Sequence, residues 1–182
     1  MQRYKPWRPK PTTDSRPPAA RLEAFVREKN PDRAERMFDR IMSDAEAAAA
    51  AAEAWTAAAR ELTDRLIVSE KAFCWFAGVF SEAMLVSLSA NDPELVRLRG
   101  DMAAVERANG LPEYESFLLD DAPPEWLELN EAWDRHADEL IAGVLRRCGS
   151  RELAELWETS RDEFELRAEE GRAEIWPDEA GE

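Results

Sequence analysis

From Phe38 to Ala83, apolar or small residues recur in alternating steps of three and four: Phe38, Ile41, Ala45, Ala48, Ala52, Trp55, Ala59, Leu62, Leu66, Ser69, Phe73, Phe76, Phe80 and Ala83. The mean step of 3.5 is the period of a heptad seam, not the two-residue period of a strand. Six alanines sit in a row between Glu46 and Glu53, and two of them, Ala48 and Ala52, lie on this seam. Small side chains there would let a partner helix approach more closely than leucine would. An alanine run matches any period, however, so the seam is firm only at its two ends.

Composition points the same way. Seven valines and four isoleucines are few in 182 residues, whereas alanine, leucine, glutamate and arginine dominate. The chain is rich in helix formers and poor in β-branched residues, which predicts an all-α protein. A continuous helix over residues 31–89 would be about 88 Å long, against a radius of gyration near ~16 Å for a compact domain of this size. Ser43-Asp44-Ala45-Glu46 fits a capping box and predicts a break near residue 43. The expectation is an elongated helical bundle containing one long heptad-patterned helix, about 44–89.

The other boundaries follow from caps. Asn30-Pro31 and Asp92-Pro93 read as helix starts, with a cap followed by proline in the first helical position. A short helix over residues 21–29 precedes the first of them. Asn109-Gly110 reads as a stop, Pro124 opens another helix, and Gly149-Ser150 separates it from a last one. So short a connection predicts a C-terminal antiparallel helical hairpin. Residues 1–20 hold five prolines and read as a basic, extended arm; 21–176 read as a single all-helical domain and 177–182 as an acidic tail.

Net charge is −15, unevenly placed. The first 21 residues carry six basic groups against one acid; the rest carry 18 against 38, a net of −20. An acidic body repels the phosphate backbone of nucleic acid and suits a basic partner. In the arm, Arg3, Lys5, Arg8 and Lys10 interleave with Tyr4 and Trp7. These six are the candidate partner-binding residues, suited to an acidic protein surface or, for this segment alone, to unpaired bases.

Residues 72–90 approach the length of a membrane span. Glu82 in the middle would cost about 2.5–3.5 kcal/mol on insertion scales, so a buried bundle helix is the expectation and no membrane partner is. Cys74 and Cys148 lack disulfide or CxxC spacing, and no apolar secretory signal opens the chain, which fits a cytoplasmic protein. Twenty arginines against four lysines fit a GC-rich, bacterial coding sequence.

Reaction chemistry finds little footing. The single histidine, His136, sits at the edge of an apolar stripe, and Trp133 occupies the position where a Glu-x-x-His metal pair needs its glutamate. No glycine-rich phosphate loop, HExxH or G-x-S-x-G is present. Glu125, Glu128, Glu131 and Asp134 recur every three residues, and Glu155 and Glu158 follow on the next helix. All-α nucleotide pyrophosphohydrolases hold Mg²⁺ with E-x-x-E and E-x-x-D pairs on two helices. Here the spacing overlaps on one helix, so a solvated face is the simpler reading. No catalytic residue, metal or cofactor is assigned. The function expected is a non-enzymatic interaction protein (subunit, adaptor or inhibitor) for a larger, basic partner. The alternatives are an acidic nucleic-acid mimic that inhibits a nuclease, and a Mg²⁺-dependent nucleotide pyrophosphohydrolase.

Overall fold

The 44–89 segment is not one rod. In a computed structural model, which describes residues 14–112 and 115–176, it divides among three helices: α2 (Pro31–Glu46), α3 (Ala49–Asp64) and α4 (Glu70–Asn91). The remaining helices are α1 (Pro18–Val26), α5 (Pro93–Ala108), α6 (Pro124–Arg147), α7 (Arg151–Thr159) and α8 (Arg161–Ile175). A single 3-10 turn lies at Leu119–Asp121, and the described residues contain no strand.

The first break falls at Ala47–Ala48, not at residue 43. Ser43 and Glu46 stay inside α2, while Ala48 turns extended at φ −162° and ψ 148°. No side chain caps α3 there, so helix propensity yields to packing: α3 lies against α1, α2 and α4. The second break is a C-terminal turn. Ile67 N–H donates to the Leu62 carbonyl at 2.9 Å, with Leu66 in the left-handed region at φ 57°. Ser69 then caps α4 by accepting from Ala72 N–H at 3.0 Å. The seam positions that leave the core, Ala48, Leu66 and Ser69, are those at the breaks. Ala45, Ala52 and Ala59 are fully buried. With α3 folded back on α4, the length that demanded an elongated shape is gone.

Elsewhere the caps set the elements. Asn30 accepts from Arg33 N–H, Asp92 accepts from Glu94 and Leu95 N–H, and Ser150 accepts from Leu153 N–H. Gly110 and Gly149 take positive φ, 77° and 83°, in the same kind of turn as Leu66. α1 begins three residues before its expected start, because Pro18 sits at the first helical position and its missing N–H costs nothing there. The single last helix expected after Ser150 is two. At Ser160 the backbone leaves the helix (φ −154°, ψ 80°), and Phe164 turns inward, edge-on to Trp157 at 4.9 Å.

α4 is the central element, touching α2, α3, α5, α6 and α8. By length and composition it could cross a membrane, but 61% of its apolar window is buried against the other helices. Phe73, Phe76 and Phe80 on α4, Trp55 on α3 and Phe164 on α8 form the heart of the core. Each large side chain buried this way contributes about 1.5–3 kcal/mol. Trp176, which follows α8, packs on Phe25 and Phe38 at 5.8 and 6.1 Å.

A smaller core lies between α5 and α6, where Met102, Val105 and Trp126 pack with Phe117 and Trp133. The six arm residues Arg3, Tyr4, Lys5, Trp7, Arg8 and Lys10 lie outside the described residues, as does the acidic tail 177–182.

Candidate functional site: an acidic cleft walled by tryptophan

α4, α6, α7 and α8 enclose a cleft of about 700 Å³. On α6, Trp133 and Asp134 face it with Ala137, Asp138 and Ile141, the three-and-four spacing that keeps residues on one helix face. α4 contributes Trp75, Gly78 and Glu82; α7 contributes Trp157; α8 contributes Arg161, Phe164, Glu165 and Glu169. Gly78 lies close to α8: a Cβ there would meet the Phe164 ring at 3.3 Å, so that ring would have to shift slightly. Trp75 is held by stacking, 5.4 Å from Phe38 and 4.8 Å from Phe76, so its position is set by the core behind it. The lining carries five carboxylates and one guanidinium.

That guanidinium, Arg161, lies 3.4 Å from the centroid of the Trp157 ring and donates to Asp138 Oδ1 at 2.6 Å. Trp157 Nε1 donates to the same oxygen at 2.9 Å. Asp138 is therefore engaged. Asp134, one turn earlier, accepts from Asn130 Nδ2 at 3.1 Å and has no ion-pair partner among the described residues. The surrounding protein raises its pKa above the ordinary carboxyl value. The nearby Asp138 charge raises it further, and Arg161 acts in the opposite sense. Asp134 is nonetheless exposed, so solvent shares in compensating its charge.

The three-residue ladder does not converge. Glu125 and Glu128 line a shallow hollow of about 530 Å³ against Asp101 and Asn109 on α5. Glu131 and Asp134 line another of about 550 Å³ with Asp138, Glu139 and Glu158. Glu158 is taken up by Arg146, and Glu155 by Arg151 at 3.0 Å. Among the described residues, no three His, Cys, Asp or Glu side chains come together as a metal site. His136 Nε2 lies 3.1 Å from Asp92 Oδ1, the oxygen that caps α5, so it ties α6 to the α4–α5 turn. The Asp92 carboxyl is held below its ordinary pKa, chiefly by the Leu95 N–H bond and in part by His136.

Sequence reasoning did not single out Asp138, Trp75 or the assembled cleft. The available signal was local: Trp133-Asp134 and Asp138 one turn apart, and Trp157 and Arg161 four residues apart. No family model, curated protein or solved structure matches the chain.

Proposed function

We propose that this is a non-enzymatic helical interaction protein of the cytoplasm, a subunit, adaptor or inhibitor that holds a larger, basic protein partner. The acidic surface supplies attraction and orientation, and the N-terminal arm residues Arg3, Tyr4, Lys5, Trp7, Arg8 and Lys10 supply a second point of attachment. One observation carries the reading. The cleft between α4, α6, α7 and α8 combines tryptophan with five carboxylates and a single guanidinium. Tryptophan in a concave, water-excluding setting is a frequent source of binding energy, and like-charged acids around it select for a cation.

The test is retention of basic proteins on the immobilised chain. Binding should fall steeply between low and high salt and survive an excess of duplex DNA. Displacement by DNA would instead favour the phosphate-mimic reading. Turnover of a nucleoside triphosphate with Mg²⁺ or Mn²⁺, abolished by Glu128→Gln with Glu131→Gln, would replace both with the hydrolase.

A further inference from the structure

The cleft already shows how it treats a guanidinium. Arg161 sits over the Trp157 ring and bonds Asp138, which is the combined aromatic contact and carboxylate pairing that distinguishes arginine from lysine. The same materials are present a second time in Trp133 and Asp134. Trp133 lines the cleft, half-buried, with no cation over its ring among the described residues; Trp75 also lines it but is buried and stacked on Phe38. Asp134 lies on the same cleft without an ion pair among those residues. The volume of about 700 Å³ falls in the ~300–1,000 Å³ range of ligand pockets.

The geometry points to an arginine-binding cleft, in which the guanidinium of an arginine from the partner's basic segment lies against Trp133 and pairs with Asp134. This rests on the reading of a basic protein partner and names the side chain recognised. Arg161 occupies the equivalent place on Trp157 and Asp138. Charge complementarity favours such a guest, since the remaining acids outnumber Arg161 around the recess. Lysine brings a compact, strongly hydrated charge that does not stack, so it fits less well.

The experiment uses the full chain labelled with ¹⁵N at tryptophan, titrated with blocked hexa-arginine and hexa-lysine peptides and followed by the indole N–H signals. Hexa-arginine should move the signals of Trp133 and Trp157 while those of Trp55 and Trp126 stay. Asp134→Asn should weaken hexa-arginine about tenfold, whereas Glu35→Gln, which removes the same charge from an exposed site on α2, should change it less than about twofold. Arg161→Gln frees Trp157 and Asp138 and should strengthen hexa-arginine more than Arg151→Gln does. Where Arg161→Gln unfolds the chain, Asp134→Asn against Glu35→Gln decides. Equal losses from those two variants, equal affinity for hexa-lysine, or shifts confined to indoles outside the cleft would overturn the arginine site and leave the basic-partner reading standing. Absence of binding by either peptide would remove both.

Discussion

A Cβ placed on Gly171 would lie 1.8 Å from the backbone oxygen of Lys71. α8 therefore crosses the start of α4 at backbone contact, and the crossing is flanked by a Lys71–Glu170 ion pair at 2.7 Å and a bond from Ser69 to Glu174. This is the most extensive helix pairing in the fold, and it fixes the α4–α8 side of the cleft. Gly171→Ala should cost about 3 kcal/mol or more, because rigid backbone stands in the way on both sides. Gly100 is the control: it is exposed in α5, and a Cβ added there would meet nothing within 4 Å. At that position the same substitution should stabilise by about 0.5–1 kcal/mol through helix propensity alone. Urea midpoints of the two variants check both signs.

Leu66 holds a left-handed conformation that the equivalent turns assign to Gly110 and Gly149. It is 92% exposed, so its side chain gains almost nothing in return. Leu66→Gly should relieve about 1–2 kcal/mol of backbone strain, offset by ~0.5–1 kcal/mol of added freedom in the unfolded chain. The net is a small gain, read as a rise in Tm of about 2–4 °C. An unchanged or lower Tm would mean that Leu66 contributes something its exposure does not reveal.

The contrast between these two positions shows what the sequence could disclose. Caps were legible because they are local: Asn30, Asp92 and Ser150 each bond backbone within three residues. The all-helical class was legible from composition. Gly171 was not, because nothing in its own helix predicts that Lys71, a hundred residues earlier, passes against it. The break at Ala47–Ala48 was hidden for a related reason. It occurs among strong helix formers, and tertiary packing of α3 on α4 overrides them. The cleft was half visible. Trp133 and Asp134 stood out as residues, but Asp138, Trp157, Arg161 and Trp75 join them only once α4, α6, α7 and α8 are assembled.

Glu106 is a buried acid whose Oε1 accepts from Ser116, from Trp126 Nε1 at 3.0 Å and from Arg99 at 3.2 Å. Burial alone raises its pKa; the Ser116 and Trp126 bonds and the Arg99 charge outweigh burial and hold it below the ordinary carboxyl value. A lowered folded pKa means that its stabilisation is present above the unfolded pKa. It is lost as pH falls through the folded one. Glu106→Ala should cost about 2–3 kcal/mol at pH 7, since it leaves Trp126 Nε1 without its acceptor. Glu106→Gln should lose less, and its urea midpoint should fall less steeply than that of the parent as pH drops below about 4.5.

Both cysteines are free, and neither is poised to react. Burial drives the Cys74 pKa up to about 12, and burial followed by the Glu53 charge raises that of Cys148. Thiolate is the reactive form, so both should resist a disulfide reagent at pH 8 in the native state. Cys74, 1% exposed, should be the slower. Full reaction of two thiols should appear only in denaturant. Fast native labelling of Cys74 would indicate that α8 lifts from α4, because its Sγ lies beneath the Phe164 carbonyl at 3.6 Å.

Asp134 ties the electrostatics of the cleft to the stability of the fold. Its folded pKa is raised, so the folded chain holds a proton there more tightly than the unfolded chain does. The sign is opposite to that of Glu106. Stability contributed by this group is fully present below the unfolded pKa, and it is lost as pH rises through the folded value. At neutral pH the ionised Asp134 is thus a small burden, near Asp138 and without a cation of its own. Asp134→Asn should raise stability by about 0.5 kcal/mol or less, while weakening the binding of arginine peptides. The two readouts must move in opposite directions. A variant that loses stability and binding together would show that Asp134 only supports the fold. An arginine supplied from outside is the group whose arrival turns the burden into an attraction.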